Sequence, residues 1–479
     1  MIWRRLLVAL AVASTVAGVV WMNATGSATR VDPSFSVLLK PTMPFAPQFS
    51  SVTSSWFCPG VPTAGDGVGG TVTVINPSDA ARTGRVTVFT DQATTAPVEQ
   101  RFTVDVRGSA TFDLKALQPT GTFASALVEM DGGGGIVEQT ALHPAGNAIA
   151  PCTNSASSAW YFADGFTVAQ STGRIIITNP YPDDAVVTVE FATATEKLTP
   201  AALEALPIPG RSIKVLTEEL MPKKESILAT KVTSSRGRIV VGRAQQYLGE
   251  GRLGYTLGLG APSLGSQFYF ADGEKGQGIT ERYSVYNGSD QDVQVEVIPL
   301  GLQDQSVIVE IEPLLIPPGE VRSLVTSDIA DLPDGRHGFV FTTVSDSIVV
   351  ERALTRPAGD SVATSVVMGL PGEFESITRR WTVATGVDQP LENALVVMSI
   401  DGVDGTLSVN ALAAGGVAPI PGLENVVVPA GQIVMIPITD ATAVNVPLII
   451  ESTGRIFVER LFARGGDLRG RSGSFALPG

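Results

Sequence analysis

Trp160-Tyr161-Phe162-Ala163-Asp164-Gly165 returns as Phe268-Tyr269-Phe270-Ala271-Asp272-Gly273. Looser copies stand at Trp56-Phe57-Cys58-Pro59-Gly60 and Trp381-Thr382-Val383-Ala384-Thr385-Gly386. These openers begin 104, 108 and 113 residues apart. A period held near that length marks tandem structural units and outranks any single motif as a guide to architecture.

The segment after each opener also recurs. A β-branched run ends on a turn at Ile75-Asn76-Pro77, Thr178-Asn179-Pro180 and Tyr286-Asn287-Gly288. Asn tolerates unusual dihedrals and Pro presets its own, so these pairs end strands. Alternating strands come next, such as Val186-Val187-Thr188-Val189-Glu190-Phe191 and Val293-Gln294-Val295-Glu296-Val297-Ile298. After a turn at Pro209-Gly210, Pro318-Gly319 or Pro429-Ala430-Gly431 stands a second phrase: Val240-Val241-Gly242-Arg243, Val349-Val350-Glu351-Arg352 and Phe457-Val458-Glu459-Arg460. Its degenerate first copy is Ile136-Val137-Glu138-Gln139. Units close near Pro151, Pro262, Pro371 and Pro478, which read as equivalent positions.

Short strands with turn signals roughly every eight to twelve residues predict an all-β chain. The expected architecture is four tandem immunoglobulin-like β-sandwich repeats of about 105 residues each. They span 55–152, 153–263, 264–372 and 373–479. A β-propeller, with each repeat supplying two four-stranded blades, is the alternative. Spacers are brief, so neighbours are expected to touch in a semi-rigid array. Helix is expected only as a turn or two within residues 200–206.

The 479-residue chain has a net charge of −14, and its first 30 residues hold three arginines and no acid. So acidic a surface repels nucleic acid, whose binding rests on cationic contacts to phosphate. Arg4 and Arg5 precede residues 6–22, an uncharged apolar run. That order sends the chain across a membrane, either as an uncleaved anchor through residues 6–22 or as a cleaved signal within residues 1–30. The protein is therefore expected to be extracytoplasmic, membrane-anchored with a cytoplasmic N-terminus or secreted to the cell envelope. Residues 31–54, broken by Pro33, Pro41, Pro44 and Pro47, read as a tether.

Cys58 and Cys152 are the only cysteines, an even count in an exported chain, and are expected to form a disulfide. Cys58 stands where later openers carry Phe162 and Phe270, and Cys152 lies in the closing segment of the same unit. Opening and closing strands of one sandwich lie side by side, within the reach a disulfide needs.

The opener, Asn-Pro turn, Pro-Gly turn and Val-Glu-Arg strand together resemble the tandem repeats of uncharacterised exported actinobacterial proteins. An anchor followed by Trp56-Phe57-Cys58-Pro59-Gly60 is similar to an actinobacterial family of unknown function, across residues 55–479. The resemblance implies an envelope location and no known activity. Gln139 replaces the arginine and Thr385 the aspartate in single copies, so neither position can hold one role in all four units.

Candidate chemistry is sparse. His143 and His337 read as solvated loop residues, too far apart in the chain for a local metal motif. The glycine runs at 65–70 and 132–135 lack the Gly-Lys-Ser/Thr of a phosphate loop. Asp290/Asp292 and Asp401/Asp404 read as turn residues, with Ca²⁺ the alternative. Trp56, Trp160, Phe268 and Trp381 read as core and junction packing rather than a sugar platform. Arg243, Arg352 and Arg460 fall on apolar strand faces, where a charged head must find partners. They read as structural arginines bonded to loop carbonyls or a carboxylate, with a ligand-binding role the alternative.

The sequence thus points to a non-enzymatic envelope protein without cofactor or metal, serving structure, adhesion or binding through an envelope protein or cell-wall glycan. The alternative is a carbohydrate-binding or glycan-assembly accessory. An unrecognised hydrolase is the weakest reading.

Overall fold

The first repeat shows how these short strands close into a sandwich. β1 (Thr53–Pro62), β2 (Gly69–Ile75), β3 (Arg82–Thr90), β4 (Val98–Val104), β5 (Ser109–Asp113), β6 (Phe123–Asp131), β7 (Ile136–Leu142) and β8 (Ala148–Pro151) succeed one another. They pair as two antiparallel sheets, β1-β6-β3-β4 and β5-β2-β7-β8. The computed structural model describes residues 41–46, 53–92, 94–304, 306–372, 378–384, 393–413, 416–440, 443 and 446–479. The apolar run at 6–22, most of the expected tether, Thr385 and Gly386 lie outside the described residues.

The same scheme recurs in the later repeats. In the third, Val293–Leu300, Gly335–Thr342 and Gln267–Lys275 lie in one sheet, and Val321–Val325, Thr280–Asn287, Ile348–Ala358 and Ser361–Met368 form the other. Eight antiparallel sheets, two per repeat, account for the described strands. The protein is a set of four β-sandwich repeats. Among the described residues, helix amounts to Leu114–Leu117 and three single 3-10 turns, one of them Ala201–Leu203.

Two sequence signals explain the sandwich locally. The opener rings Trp56, Trp160, Phe268 and Trp381 are 0–1% exposed, so each fills the core between its two sheets. The turn asparagines act as plugs. Asn179 Nδ2 donates to the carbonyls of Asp183, Ile208 and Pro209 at 2.8–3.2 Å, while its Oδ1 accepts the Tyr181 N–H. Asn76 and Asn287 make the equivalent bonds. One buried amide thereby satisfies loop carbonyls that would otherwise be stranded away from water.

The repeats do not form an open string. In the third repeat the strand carrying Arg352, Ile348–Ala358, is buried on both faces, as is Ile456–Ala463 in the fourth. One face packs inside its own sandwich and the other against the first sheet of the preceding repeat. β1, for example, packs on β2 and β7, and also on Thr172–Asn179 and Val240–Gly249 of the second repeat. The last strands of all four second sheets, β8, Arg252–Leu259, Ser361–Met368 and Arg471–Phe475, meet one another. The fourth repeat then returns to the first: Asn147 N donates to Arg464 O at 2.6 Å, and Ser472 Oγ to Asn147 O at 3.1 Å. The array is a closed ring around one continuous apolar core.

Each repeat is also stitched to itself. Phe57 and Thr153 exchange N–H···O bonds of 2.7 and 2.9 Å, so the closing segment crosses from the second sheet to β1. Tyr161 and Ala261 repeat that exchange, and Tyr269 pairs with Leu370 and Thr382 with Leu477. Beside the first stitch, Cys58 and Cys152 are disulfide-bonded, with Cα atoms 4.4 Å apart. This register revises the alignment of closing prolines. Glu138, Gly242, Glu351 and Glu459 face Pro151, Leu259, Met368 and Phe475, so Cys152 corresponds to Gly260, Gly369 and Ala476. Pro151 stands three positions before the place of Pro262, Pro371 and Pro478.

The later repeats fill the cystine's place differently. A Cβ on Gly260 would sit 2.9 Å from Phe162 Cζ, and one on Gly369 2.6 Å from Phe270 Cζ. A phenylalanine ring over a glycine therefore replaces the disulfide in repeats two and three. In the fourth, the smaller Val383 and Ala476 share the position, 2% and 0% exposed.

Residues 42–479 form one compact unit. Residues 42–46, expected to belong to a tether, are packed instead. Met43 is buried in the core, and Ala46 N donates to Pro478 O at 2.7 Å.

Candidate functional site

The recurring arginines lie at the junctions between repeats. Arg243 of the second repeat donates from Nη2 and Nη1 to Glu351 Oε1 and Oε2 of the third, at 2.8 and 3.0 Å. Glu351 Oε2 also accepts the backbone N–H groups of Ala163 and Asp164, each at 2.7 Å. Those are the fourth and fifth residues of the second opener. The next junction repeats the device: Arg352 donates to Glu459 at 2.7 and 3.1 Å, and Glu459 accepts from Ala271 and Asp272. At the closing junction Arg460 Nη1 lies 3.5 Å from Glu138 Oε2. These side chains are at most 5% exposed. Successive side chains of a strand point to opposite faces, so Glu-Arg reaches backward with one residue and forward with the other.

The opener aspartates form a second layer. Asp164, fully buried, accepts from Arg282 at 2.8 Å, Ser284 at 3.0 Å and Arg252 at 3.2 Å. Asp272 is held by Arg356 at 2.9 Å and Arg336 at 2.7 Å. Burial pushes both carboxyls up, but the arginines outweigh it and hold them below the ordinary carboxylate range. Glu351 goes the other way, because burial outweighs the pull of Arg243. These arginines thus meet both expected partners, a carboxylate and, for Arg243, the carbonyl of Asp164.

The first junction lacks this device. Gln139 stands for the arginine, Gly242 for the glutamate, Pro59 for the alanine with its N–H, and Gly60 for the aspartate. Gln139 Oε1 instead accepts Gly60 N–H at 3.1 Å within its own repeat. Pro59 packs so close to Gly242 that a Cβ there would lie 2.7 Å from the proline ring. An apolar contact has replaced an ion pair.

Beside it opens a groove of about 530 Å³, lined by both repeats. Arg174 occupies the place that Arg282 holds in the third repeat, but residue 60 offers it no carboxylate. Its Nη1 instead donates to Gly173 O at 2.9 Å and pairs with Glu218. His143 stacks on Tyr255, with ring centroids 4.1 Å apart and planes 10° from parallel. Its Nδ1 accepts the Ala145 N–H at 3.1 Å, which places the imidazole proton on Nε2. Burial holds its pKa below the usual histidine value. Asp91, on the groove's rim, accepts from Thr122 N at 2.7 Å.

His337 departs from its expected place in a solvated loop. It is fully buried within the strand Gly335–Thr342, and its Nε2 lies 2.6 Å from Glu281 Oε2. Tyr283 OH donates to the other oxygen of Glu281 at 2.8 Å. Gly273 admits the ring, since a Cβ there would lie 2.6 Å from His337 Cδ2. The signal was period two, with His337, Phe339 and Phe341 sharing one strand face. Asp401 accepts from Arg455 N and Nε, and Asp404 from Ala430 N. Among the described residues no group of three His, Cys, Asp or Glu is placed to hold a metal, and no helix is long and apolar enough to cross a membrane.

Fold and junctions together define a ring of β-sandwich repeats joined by buried ion pairs at three of its four junctions. Residues 50–205 match DUF5719, a family of unknown function. No curated protein sequence matches the chain. Among solved structures, the Thermotoga maritima protein 1070 shares 15% identity at a TM-score of 0.20, covering 22% of this chain and 94% of its own. The Anabaena sensory rhodopsin transducer shares 19% identity at 0.16, covering 19% and 96%. A tetra-tandem repeat from the extending region of a large adhesion protein shares 12% at 0.12, covering 84% and 92%.

Proposed function

We propose that this chain is a non-enzymatic, extracytoplasmic binding scaffold of the cell envelope. The observation that carries the proposal is the use made of its buried charges. Glu351, Glu459 and Asp164 are each held by an arginine of a neighbouring repeat, and Asp272 by arginines of its own. Groups arranged to neutralise one another across junctions serve rigidity, whereas catalytic acids and bases need a substrate within reach. The Cys58–Cys152 bridge suits an oxidising compartment, and the arginine-led apolar run at residues 6–22 suits export or anchoring. The acidic surface disfavours polyanionic partners such as nucleic acid.

The partner is expected to be an envelope protein or a cell-wall glycan, and the groove at the first junction favours the glycan. The test is retention of the purified, disulfide-bonded chain on isolated cell-wall fractions, with parallel assays for glycoside hydrolysis. Retention without hydrolysis is expected. Turnover of any glycan, or absence of retention, overturns the reading.

A further inference from the structure

The groove at the first junction is a junction from which the charged device has been removed. At the second junction a carboxylate, Asp164, lies among Arg282, Arg252 and Ser284. At the first, Gly60 leaves Arg174 with Nε and Nη2 donors that no described residue accepts from. The Gln246 amide and His143 Nε2–H also lack protein partners among the described residues. On the same groove, Asp91 presents an anchored carboxylate as an acceptor. Pro62, Val68 and Phe123 add apolar surface to the lining. The volume lies inside the range of roughly 300–1,000 Å³ that suits a small ligand.

Charge decides the class of that ligand. Arg174 is already balanced by Glu218, His143 is neutral, and Asp91 adds a negative charge. An anion would gain one shared guanidinium and meet two carboxylates. A hydroxyl-rich neutral molecule meets donors and an acceptor at once and brings no further charge into the groove. We propose that the groove between the first and second repeats binds a neutral saccharide of one or two sugar rings. Its oxygens accept from Arg174, Gln246 and His143, and one of its hydroxyls donates to Asp91. This rests on the binding-scaffold reading and names the ligand class of one site within it.

The experiment is calorimetric titration of the disulfide-bonded chain with N,N′-diacetylchitobiose, cellobiose and maltose, and with glucuronic acid as an acidic counterpart. At least one neutral sugar should bind with Kd of about 1 mM or tighter. Gln246→Ala and His143→Ala should each weaken it roughly three- to tenfold, the worth of one hydrogen bond. Thr172→Trp should fill the groove and abolish binding. Thr280→Trp, the same position in the third repeat, should leave binding unchanged, and melting curves of both variants check that the ring is intact. Binding weaker than about 10 mM for every neutral sugar overturns the inference. So does binding that survives Thr172→Trp, or tighter binding of glucuronic acid. If cell-wall retention persists unchanged in Thr172→Trp, the groove is wrong and the scaffold stands. If the unmodified chain is not retained at all, the scaffold reading itself falls.

Discussion

Replacing Phe162 and Gly260 together by cysteine should create a second disulfide. Tyr161 and Ala261 exchange both backbone hydrogen bonds at 2.9 Å, as Phe57 and Thr153 do at 2.7 and 2.9 Å. The residues just inside each exchange form a non-hydrogen-bonded antiparallel pair, whose Cα atoms ordinarily lie about 4.5 Å apart. Cys58 and Cys152 show that spacing at 4.4 Å. Two opposing effects set the magnitude. Closing the loop from 162 to 260 contributes about 4.7 kcal/mol in the chain-entropy description. Removing the buried Phe162 ring costs about 3–5 kcal/mol. The oxidised double variant should therefore melt close to the parent, and its reduced form should be less stable by several kcal/mol. Thiol labelling in denaturant without reductant is the assay: no reactive thiol is expected, since both pairs are bridged. Two reactive thiols from a folded variant would refute the equivalence of the ring-over-glycine pair and the cystine. Gly260→Ala alone should cost about 1–3 kcal/mol, because the new methyl meets the Phe162 ring.

Other consequences rest on the same geometry. Arg352→Ala leaves Glu459 and Asp272 buried with one cation fewer and should cost about 3–5 kcal/mol in chemical denaturation; a loss below about 1 kcal/mol would mean that the head is solvated. Ring closure predicts one cooperative thermal transition and protease resistance at residues 153–159 and 264–267, while Arg460→Ala should loosen the seam; release of single repeats from the unmodified chain would contradict closure. Asp164 and Asp272 are held low, so their stabilisation is full above the unfolded carboxylate value of about 3.9 and is lost as pH falls below it. Glu351, held high by burial, opposes them: its contribution is present at low pH and fades as pH rises through its folded value. Melting temperature followed from pH 6 to pH 2 should fall, two aspartates outweighing one glutamate; a flat profile would show that they do not outweigh it.

Local structure was legible because each repeat states it again. Period-two runs, Asn-Pro turns and buried opener rings all follow from chain-local rules, and four copies average out the noise of any one. The closing prolines misled for a physical reason. Proline marks the end of a strand without fixing its register, and Pro151 ends β8 three positions before the place of Pro262. The histidine in Gly335–Thr342 misled because Arg336-His337 reads as polar, although burial on a strand follows the face and not the neighbour.

Closure of the ring entered the sequence reading only through the β-propeller alternative, because it depends on partners more than 100 residues apart, such as Arg243 with Glu351. A trace of it is nonetheless present in the sequence. The phrase Val-Glu-Arg loses its arginine in one copy, at Gln139, and its glutamate in the next, at Gly242. Independent decay would scatter such losses. Paired loss in consecutive copies is the expected result when the arginine of one repeat serves the glutamate of the following one. Pro59 and Gly60 change in the same copy as Gln139, removing the N–H and the carboxylate that the device uses elsewhere. Glu138 and Arg460 are both kept, although they stand in the first and last copies, because in a ring those copies are neighbours. The pattern of departures from the repeat therefore carries the long-range topology, while the repeat itself carries the local fold.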